Sequence, residues 1–423
     1  MTMEIKPAMK KLRRALALTL LGTCSGLVMA ESDGNDMIDL HRSLLTLDAH
    51  LDTPALFHRD DYDFSARGSF AENGTNVDLP RLLEGGLDGG FWVIFTAQGE
   101  LDEASYARAR TSAVLRQMAI RELAAKYSDA VELAFSADDA QRISDAGKIV
   151  VFQSMENAYP LGRDISLLET FYVGGLRMLG PVHFSNNQFA DSSTDNVVLY
   201  EGLSPIGEAL IKEANRLGII VDASHASDDA LRDMMRVSST PVILSHSGPD
   251  GVYEHARNVP DELLIQLAEA GGVVHVNAFG SYLEELVPTP EHKAAMDKLR
   301  EKFGPSLSAL SADQFEAYRR ARAEVYELYP PPRSTFDKYV EHLLYVLELV
   351  GPDHVGIGAD WDGGGGVNGM ADVAAVPKIT DELIRAGYSP QDIAKIWSGN
   401  LLRLMREVEA AKSASLDSPD ILR

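Results

Sequence analysis

The sequence predicts a (β/α)8 barrel, an α/β fold in which eight parallel strands alternate with helices. Two observations support this fold class. Short apolar runs rich in β-branched residues recur along the chain, and most lack polar alternation, as is typical of strands buried on both faces. Amphipathic helical segments with recognisable start signals lie between these runs. Strands that alternate with helices form parallel sheets, and eight such units favour closure into a barrel.

The strand-like runs are spaced as barrel strands are. Each is short, apolar and bounded by polar or glycine-containing segments. In chain order they span Leu44–Asp52, Gly86–Phe95, Lys148–Glu156, Gly174–His183, Gly218–His225, Pro241–Ser247, Gly271–Phe279 and His354–Asp360.

Helix start signals occur between the predicted strands. Ser204 places an N-cap before a proline at the first helical position, and Ser389 does the same. Ser227 and Asp261 open two further helical segments. The longest interruption, residues 280–333, is charged, rich in helical pattern and lies between predicted strands seven and eight. We expect it to be an insertion over one barrel end rather than a separate domain.

Residues 1–30 have the pattern of a secretory signal peptide. A basic stretch precedes the apolar segment Ala15–Val28, and small residues lie at −3 and −1 of a cleavage site before Glu31. An uncleaved anchor is the alternative. Cys24 follows a threonine, so lipoprotein anchoring is not expected. We therefore expect an exported protein, periplasmic in a Gram-negative bacterium, with a single barrel domain over residues 31–423.

Composition limits the classes of function. The chain has 423 residues, of which 45% are hydrophobic, and a formal net charge of −24. The apolar fraction excludes a disordered chain, and the acidic balance disfavours nucleic acid as a partner. One cysteine excludes a disulfide scaffold and thiolate metal sites. No segment after the leader has the length and purity of a membrane helix.

Imidazoles and carboxylates close the predicted strands. In a barrel, the carboxyl ends of the strands meet at one face and supply the catalytic groups. A single histidine or aspartate there is usually a hydrogen-bonded structural group, but so many together would be costly to bury without a cation. Two divalent metals held by histidine and carboxylate would explain the cluster. The residues are His50, Asp52, Glu156, His183, His225, His246 and Asp360.

The segments around these residues resemble the membrane (renal) dipeptidase family of zinc metallopeptidases, which are amidohydrolase-like barrels. The similarity runs through nearly the whole chain after the leader. The matching segments are DAHLD at 48–52, SMENAYPL at 154–161, HFSNNQFADSS at 183–193, EANRLGIIVDASH at 213–225, PVILSHS at 241–247, ARNVPDELL at 256–264, HVGIGADWDG at 354–363 and KIWSGNLLRLM at 395–405.

The resemblance implies a site with two zinc ions. It implies that His50 and Asp52 bind one zinc, that Glu156 bridges both, and that His225 and His246 bind the second. A hydroxide held between the metals would then attack the peptide bond of an L-Xaa-L/D-Xaa dipeptide, with Glu156 fixing the separation of the two ions. The resemblance also suggests a homodimer.

Further roles follow from the same resemblance. His183 would contact the substrate near the scissile carbonyl, and Asp360 would act as the acid and base beside the metals. Arg257 would bind the carboxylate of the dipeptide. Asn258 is a weaker candidate for substrate binding, because capping or loop bonding explains it at least as well. His58 and His275 are interpreted as structural.

Two departures from the family pattern and two alternative functions stay open. Leu51 lies between the two ligands where the family has asparagine. The family's D-F-D-G becomes Asp360-Trp361-Asp362-Gly363, and the glycine run that continues through Gly366 would reshape the rim. A homodimer would lack the intersubunit disulfide, because residues 31–423 contain no cysteine.

A related metal-dependent hydrolase of another amide, lactone or β-lactam is the first alternative. A non-catalytic zinc- or peptide-binding periplasmic protein is the second.

Overall fold

The computed structural model describes residues 34–59, 62–70, 74–304 and 312–412. The predicted signal peptide, residues 1–30, lies outside this part of the chain. Within the described ranges, no helix is both long enough and apolar enough to cross a bilayer.

The described residues form ten strands, and every pairing between them is parallel. The strands are β1 Leu47–Leu51, β2 Gly89–Phe95, β3 Val131–Leu133, β4 Ile149–Glu156, β5 Leu176–Leu179, β6 Ile220–Val221, β7 Ile243–Pro249, β8 Asn258–Val259, β9 Val273–Val276 and β10 Val355–Ile357.

Eight of these strands form a closed ring in chain order. One half has the order β1-β2-β4-β5-β6, and the other contains β7, β9 and β10. Single parallel bridges join the halves at two seams, Asp222 to Ile243 and Leu51 to Trp361. The predicted (β/α)8 barrel is therefore confirmed. The short strands β3 and β8 pair outside this ring with β4 and β7, and the sequence did not predict them.

Several strands are shorter than the sequence predicts, because the chain turns before the run of apolar residues ends. The run Gly218–His225 forms a strand only at Ile220–Val221. His225 has a backbone φ of 70° and Asp360 a φ of 61°, a left-handed conformation that cannot continue a ladder. These turns lie at the carboxyl ends of the barrel strands.

Helices follow most of the barrel strands and begin where the sequence indicated. The hydroxyls of Ser204, Ser227 and Ser389 each accept a hydrogen bond from a backbone amide three residues ahead. The helices are α1 Gly34–Ser43, α2 Leu79–Gly85, α3 Glu103–Lys126, α4 Ala137–Asp145, α5 Leu167–Val173, α6 Pro205–Leu217, α7 Asp228–Val237, α8 Asp261–Glu269, α9 Gly280–Leu283, α10 Pro290–Phe303, α11 Ala312–Leu328, α12 Phe336–Val350, α13 Pro377–Arg385, α14 Pro390–Ala394 and α15 Asn400–Ala411.

An apolar cluster closes the amino-terminal end of the barrel. It joins the first residue of β1, Leu47, to Phe91 and Phe152 of β2 and β4, and to Leu401 and Met405 of α15. The two phenylalanine rings stack with centroids 5.0 Å apart. Catalytic groups are therefore confined to the opposite end, where the strands finish.

The helical insertion lies between β9 and β10, as predicted from residues 280–333. It contains α9, α10 and α11. The His292 imidazole in α10 lies 2.7 Å from the Tyr329 carbonyl oxygen, just after α11, and its ring packs 5.7 Å from that of Tyr326. At the two ends of the insertion, Ser334 donates a hydrogen bond of 2.6 Å to Glu284.

Candidate active site

The carboxyl ends of the barrel strands bring all seven predicted strand-end residues into one cluster. The residues form three overlapping groups, and within each group the potential ligand atoms lie within 4.8 Å of one another. The groups are His50, Glu156 and His246; Glu156, His183 and His225; and His50, Asp52 and Asp360.

Glu156 lies at the centre of the cluster. Its Oε1 atom is 2.9 Å from the His225 Nε2 atom and 3.4 Å from the His246 Nε2 atom. The Nε2 atoms of His50 and His183 lie 3.7 Å and 3.8 Å from the same oxygen. One carboxylate at the end of β4 therefore reaches imidazoles contributed by four other segments.

His50 and Asp52 project to the same side of β1, as their spacing predicts. The His50 Nε2 atom lies 3.4 Å from the Asp52 Oδ2 atom. Leu51 between them is fully buried in the apolar core. The leucine that replaces the usual asparagine therefore points away from the cluster.

Gly363 lies directly behind two of the site carboxylates. A Cβ atom at this position would be 2.1 Å from both the Asp52 Oδ2 atom and the Asp360 Oδ1 atom. No real Cβ tolerates such distances, so only glycine lets both carboxylates occupy these positions.

The glycines that follow are required by packing as well. A Cβ at Gly364 would lie 1.9 Å from the Phe279 ring, and its φ is +151°. A Cβ at Gly365 would lie 1.8 Å from the Ala359 carbonyl oxygen. The glycine run therefore lets the segment after β10 lie close against the barrel end and against Phe279.

Burial perturbs the titration of the site strongly. It raises the pKa of Glu156 to about 8 and that of Asp360 to about 7. It lowers the pKa of His183 to about 3, and those of His225 and His246 well below the usual value.

His50 responds in the opposite direction. Burial opposes its charge, but the neighbouring Glu156 and Asp52 carboxylates raise its pKa to about 10. Side chains with raised pKa values and side chains with lowered pKa values, concentrated in one place, are typical of a functional site.

The donor set fits a divalent metal. Neither ring nitrogen of His50 has a hydrogen-bond partner among the described residues, and the same holds for His225 Nδ1. The Nε2 atoms of His225 and His246 face each other at 3.0 Å. A cation that accepts nitrogen lone pairs would satisfy buried nitrogens in this arrangement. Histidine and carboxylate without thiolate suit zinc and several other divalent ions.

His183 is the most accessible histidine of the cluster, with a side chain 17% exposed. Its ring packs against two aromatic rings, with centroids 4.9 Å from Phe95 and 3.9 Å from Phe184. Phe184 is 47% exposed. This aromatic pair orients the imidazole on the solvent side of Glu156.

Arg257 lies beside the cluster at the start of β8 and is buried. Its Nη2 group donates a hydrogen bond of 2.9 Å to the His246 carbonyl oxygen. Its Nε group has no partner among the described residues, so part of the guanidinium fork is available. The guanidinium also lies 5.3 Å from the centroid of the Tyr282 ring.

Three other residues singled out from the sequence lie outside the cluster or are engaged by the backbone. The Asn258 amide donates to the carbonyl oxygens of Tyr253 and Tyr282, at 2.8 Å each, which is the loop-bonding alternative left open above. His275 is buried against Gly356, and His58 is exposed. Neither histidine belongs to the described metal-ligand groups.

Several residues around the cluster received no role from the sequence. Phe184 directly follows His183, and Gly363 lies three residues after Asp360, so closeness in sequence to a predicted site residue was a usable signal. The Ser245 hydroxyl contacts the His246 imidazole and also binds the Asp222 carboxylate, and the place of both residues at strand ends was the signal there. Tyr282 comes from the start of the insertion and has no local signal.

A barrel whose strand ends gather imidazoles and carboxylates around one glutamate has the arrangement of a metal-dependent enzyme. The family model described as membrane dipeptidase, peptidase family M19, matches residues 35–418. The chain belongs to this family, and it is an enzyme of the metallopeptidase class.

Individual relatives agree with this assignment. The chain is 28% identical to the dipeptidase tcpJ of Claviceps purpurea over 394 residues, which cover 91% of this chain and 78% of that protein. The crystal structure of the probable dipeptidase PvdM from Pseudomonas aeruginosa is 30% identical, with a TM-score of 0.76, and covers 89% of this chain and 98% of that one.

A metallopeptidase from Rhodobacter sphaeroides, solved with a phosphinate mimic of L-Ala-D-Ala, shares the fold. It is 23% identical with a TM-score of 0.68, and it covers 86% of this chain and 99% of its own.

Proposed function

We propose that this protein is a dizinc dipeptidase that hydrolyses the peptide bond of L-Xaa-L/D-Xaa dipeptides. The observation that carries the proposal is the position of Glu156, whose Oε1 atom lies within 3.8 Å of the Nε2 atoms of four histidines. A carboxylate at such a point can be shared between two cations. Membership of the membrane dipeptidase family supports the same reading.

The proposed metal ligands divide into two sets around Glu156. His50 and Asp52 would hold one zinc, and His225 and His246 would hold the other. Two bound zinc ions would supply an activated water and polarise the scissile carbonyl. The unpartnered ring nitrogens of His50 support this assignment.

Asp360 is the proposed acid and base. Burial raises its pKa to about 7 in the metal-free protein, and a group that titrates near neutral pH can both accept and return a proton. It would take a proton from the attacking water and pass it to the leaving amine. Gly363 leaves the space that lets this carboxylate lie beside Asp52.

His183 is the proposed partner of the developing oxyanion. Because burial lowers its pKa to about 3, the ring is neutral at physiological pH and carries one N–H. That N–H can donate a hydrogen bond to the oxygen as negative charge forms. The rings of Phe95 and Phe184 limit the orientations that the imidazole can adopt.

Arg257 is the proposed anchor for the terminal carboxylate of the dipeptide. One nitrogen is already engaged by the His246 carbonyl oxygen, and the free Nε group can pair with a carboxylate oxygen. Recognition of a terminal carboxylate this close to the cluster would restrict the substrate to short peptides.

We also propose that residues 1–30 direct export to the periplasm. The support is the sequence pattern alone: a basic segment, an apolar stretch and a small-residue cleavage site. A homodimer without an intersubunit disulfide stays a prediction from the family resemblance.

A panel of L,L and L,D dipeptides, assayed with and without a chelator, tests the proposed activity. We expect chelator-sensitive hydrolysis that two equivalents of zinc per chain restore. Hydrolysis of amides, lactones or β-lactams in preference to dipeptides would instead support the related-hydrolase alternative. Metal binding without any turnover would favour a binding protein, and one metal per chain after reconstitution would contradict the two-metal site.

A further inference from the structure

His246 differs from the other buried histidines of the cluster, because a side chain contacts the ring nitrogen that faces away from Glu156. The Ser245 hydroxyl oxygen lies 2.8 Å from the His246 Nδ1 atom. The same hydroxyl donates a hydrogen bond of 2.6 Å to the Asp222 Oδ2 atom. In contrast, Nδ1 of His50 and Nδ1 of His225 have no partner in the described part of the chain.

The direction of these hydrogen bonds follows from the chemistry of the groups. A serine hydroxyl has one proton and two lone pairs. Asp222 acts as an acceptor, because its Oδ1 atom also receives the backbone amides of Ser224 and Ser245 at 3.0 Å each. The short contact of 2.6 Å therefore takes the Ser245 proton. The alternative acceptor, the Ser224 hydroxyl, is 3.3 Å away.

With its proton committed to Asp222, the Ser245 oxygen can only accept from His246. The proton of a neutral His246 ring then resides on Nδ1. Its Nε2 atom carries the lone pair, and this atom faces the Glu156 Oε1 atom at 3.4 Å and the His225 Nε2 atom at 3.0 Å. A metal binds imidazole through such a lone pair.

Burial shields this hydrogen-bond chain from solvent. Asp222 is 5% exposed, Ser245 is fully buried and His246 is 2% exposed. Water therefore cannot easily replace the hydroxyl if it is removed, and the His246 ring would lose the contact that fixes its rotation.

We propose that Ser245 and Asp222 are positioning residues, which hold His246 with its proton on Nδ1 and its Nε2 lone pair directed at the metal position. The inference rests on the proposed metal function of His246. It assigns no nucleophilic role to Ser245.

A structural role for Asp222 is the competing explanation. Asp222 lies at the seam between β6 and β7, and its Oδ1 atom binds backbone amides on both sides of that seam. Removing the Ser245 hydroxyl leaves both amide contacts in place. Ser245→Ala therefore tests the positioning role without opening the seam.

The experiment compares Ser245→Ala with Ser247→Ala as the matched control. Ser247 is also buried on β7, and its hydroxyl contacts Ser224 at 3.4 Å and not an imidazole. Zinc affinity of the metal-free full-length proteins is measured by chelator competition, and thermal unfolding is recorded in parallel. We expect Ser245→Ala to weaken one of the two zinc sites by about 10–100-fold, with Ser247→Ala close to the wild type.

A second readout reports the tautomer directly. In metal-free protein labelled with 15N-histidine, the wild-type His246 ring should show a protonated Nδ1, whereas Ser245→Ala should show a mixture of tautomers. Equal zinc affinities for the two variants, or an unchanged His246 tautomer, would overturn the positioning role alone. Absence of zinc binding by the wild-type protein would overturn the proposed function and this inference together.

Discussion

The two sides of the cluster hold their side chains by different means. The carboxylate side consists of His50, Asp52 and Asp360, and it lies at the seam where Leu51 pairs with Trp361. Its carboxylates occupy space that a Cβ at Gly363 would fill. The imidazole side consists of His225 and His246, and it lies at the other seam. There, hydrogen bonds through a serine to an aspartate orient one ring.

Two site residues with unusual backbone conformations lie beside the seams. A single bridge joins the half-sheets at each seam, Asp222 to Ile243 and Leu51 to Trp361. His225 lies three residues after Asp222, Asp360 directly precedes Trp361, and their φ values are 70° and 61°. Such backbone conformations cost of order 1–3 kcal/mol each for a residue with a side chain. Interactions of the surrounding fold offset this conformational cost at two residues whose side chains belong to the cluster at the carboxyl end of the barrel.

Glu156→Gln should have the largest effect, because Glu156 is the residue that both sides share. The amide would keep the volume but lose the charge, so we expect poor metal occupancy on both sides. The loss of kcat/KM should exceed the roughly 10⁴-fold upper range for a single acid–base group. Zinc content and turnover are measured together. Glu84→Gln, at an exposed position, is the matched control and should behave as the wild type. A Glu156→Gln enzyme that keeps two zinc ions and full activity would contradict the role of Glu156 as a residue shared by both sides.

Asp360→Asn should separate chemistry from metal binding on the carboxylate side. The amide cannot accept the water proton, so kcat should fall by about 10²–10⁴-fold. Zinc content should stay near that of the wild type, because His50 and Asp52 are unchanged. Equal losses of zinc and activity would show that Asp360 acts mainly as a ligand.

The sequence predicted which residues meet in the cluster, because one structural rule determines where they lie. The carboxyl ends of barrel strands meet at one face, so His50 and Asp360 could be expected to meet although about three hundred positions separate them. Strand lengths were overestimated: the apolar run Gly218–His225 forms a strand only at Ile220–Val221, and its pattern does not show the left-handed φ of His225.

The residues that orient or make room for the site side chains were harder to predict than the site residues themselves. The contact between Gly363 and Asp52 depends on the spacing of β1 and β10 across a seam. The partner of the Ser245 hydroxyl depends on the register between β6 and β7. Periodicity and local motifs do not determine the spacing or the register across a seam, so only the folded structure reveals these two features.

Gly363→Ala should damage the carboxylate side selectively. The new Cβ would overlap Asp52 and Asp360, so one or both carboxylates must move by about an ångström, which can cost about 10²-fold in kcat/KM. Gly180→Ala is the matched control, because a Cβ there would meet its nearest atom at an ordinary 3.7 Å. Metal analysis should show one zinc lost and one kept. Loss of both ions, with unchanged unfolding temperature, would mean that the two sides are not independent.

Arg257→Lys should have the smallest effect of these substitutions. It tests whether the site binds the terminal carboxylate of the substrate through Arg257. The lysine keeps a positive charge near Glu156 but loses the planar fork, so we expect KM for dipeptides to rise roughly tenfold with kcat little changed. A dipeptide amide, which lacks the terminal carboxylate, provides the control. The wild type should prefer the free dipeptide strongly, and the variant should lose most of that preference. If both enzymes discriminate equally between the two substrates, the carboxylate is bound elsewhere, and the Arg257 contact with the His246 carbonyl oxygen serves only to hold the imidazole side in place.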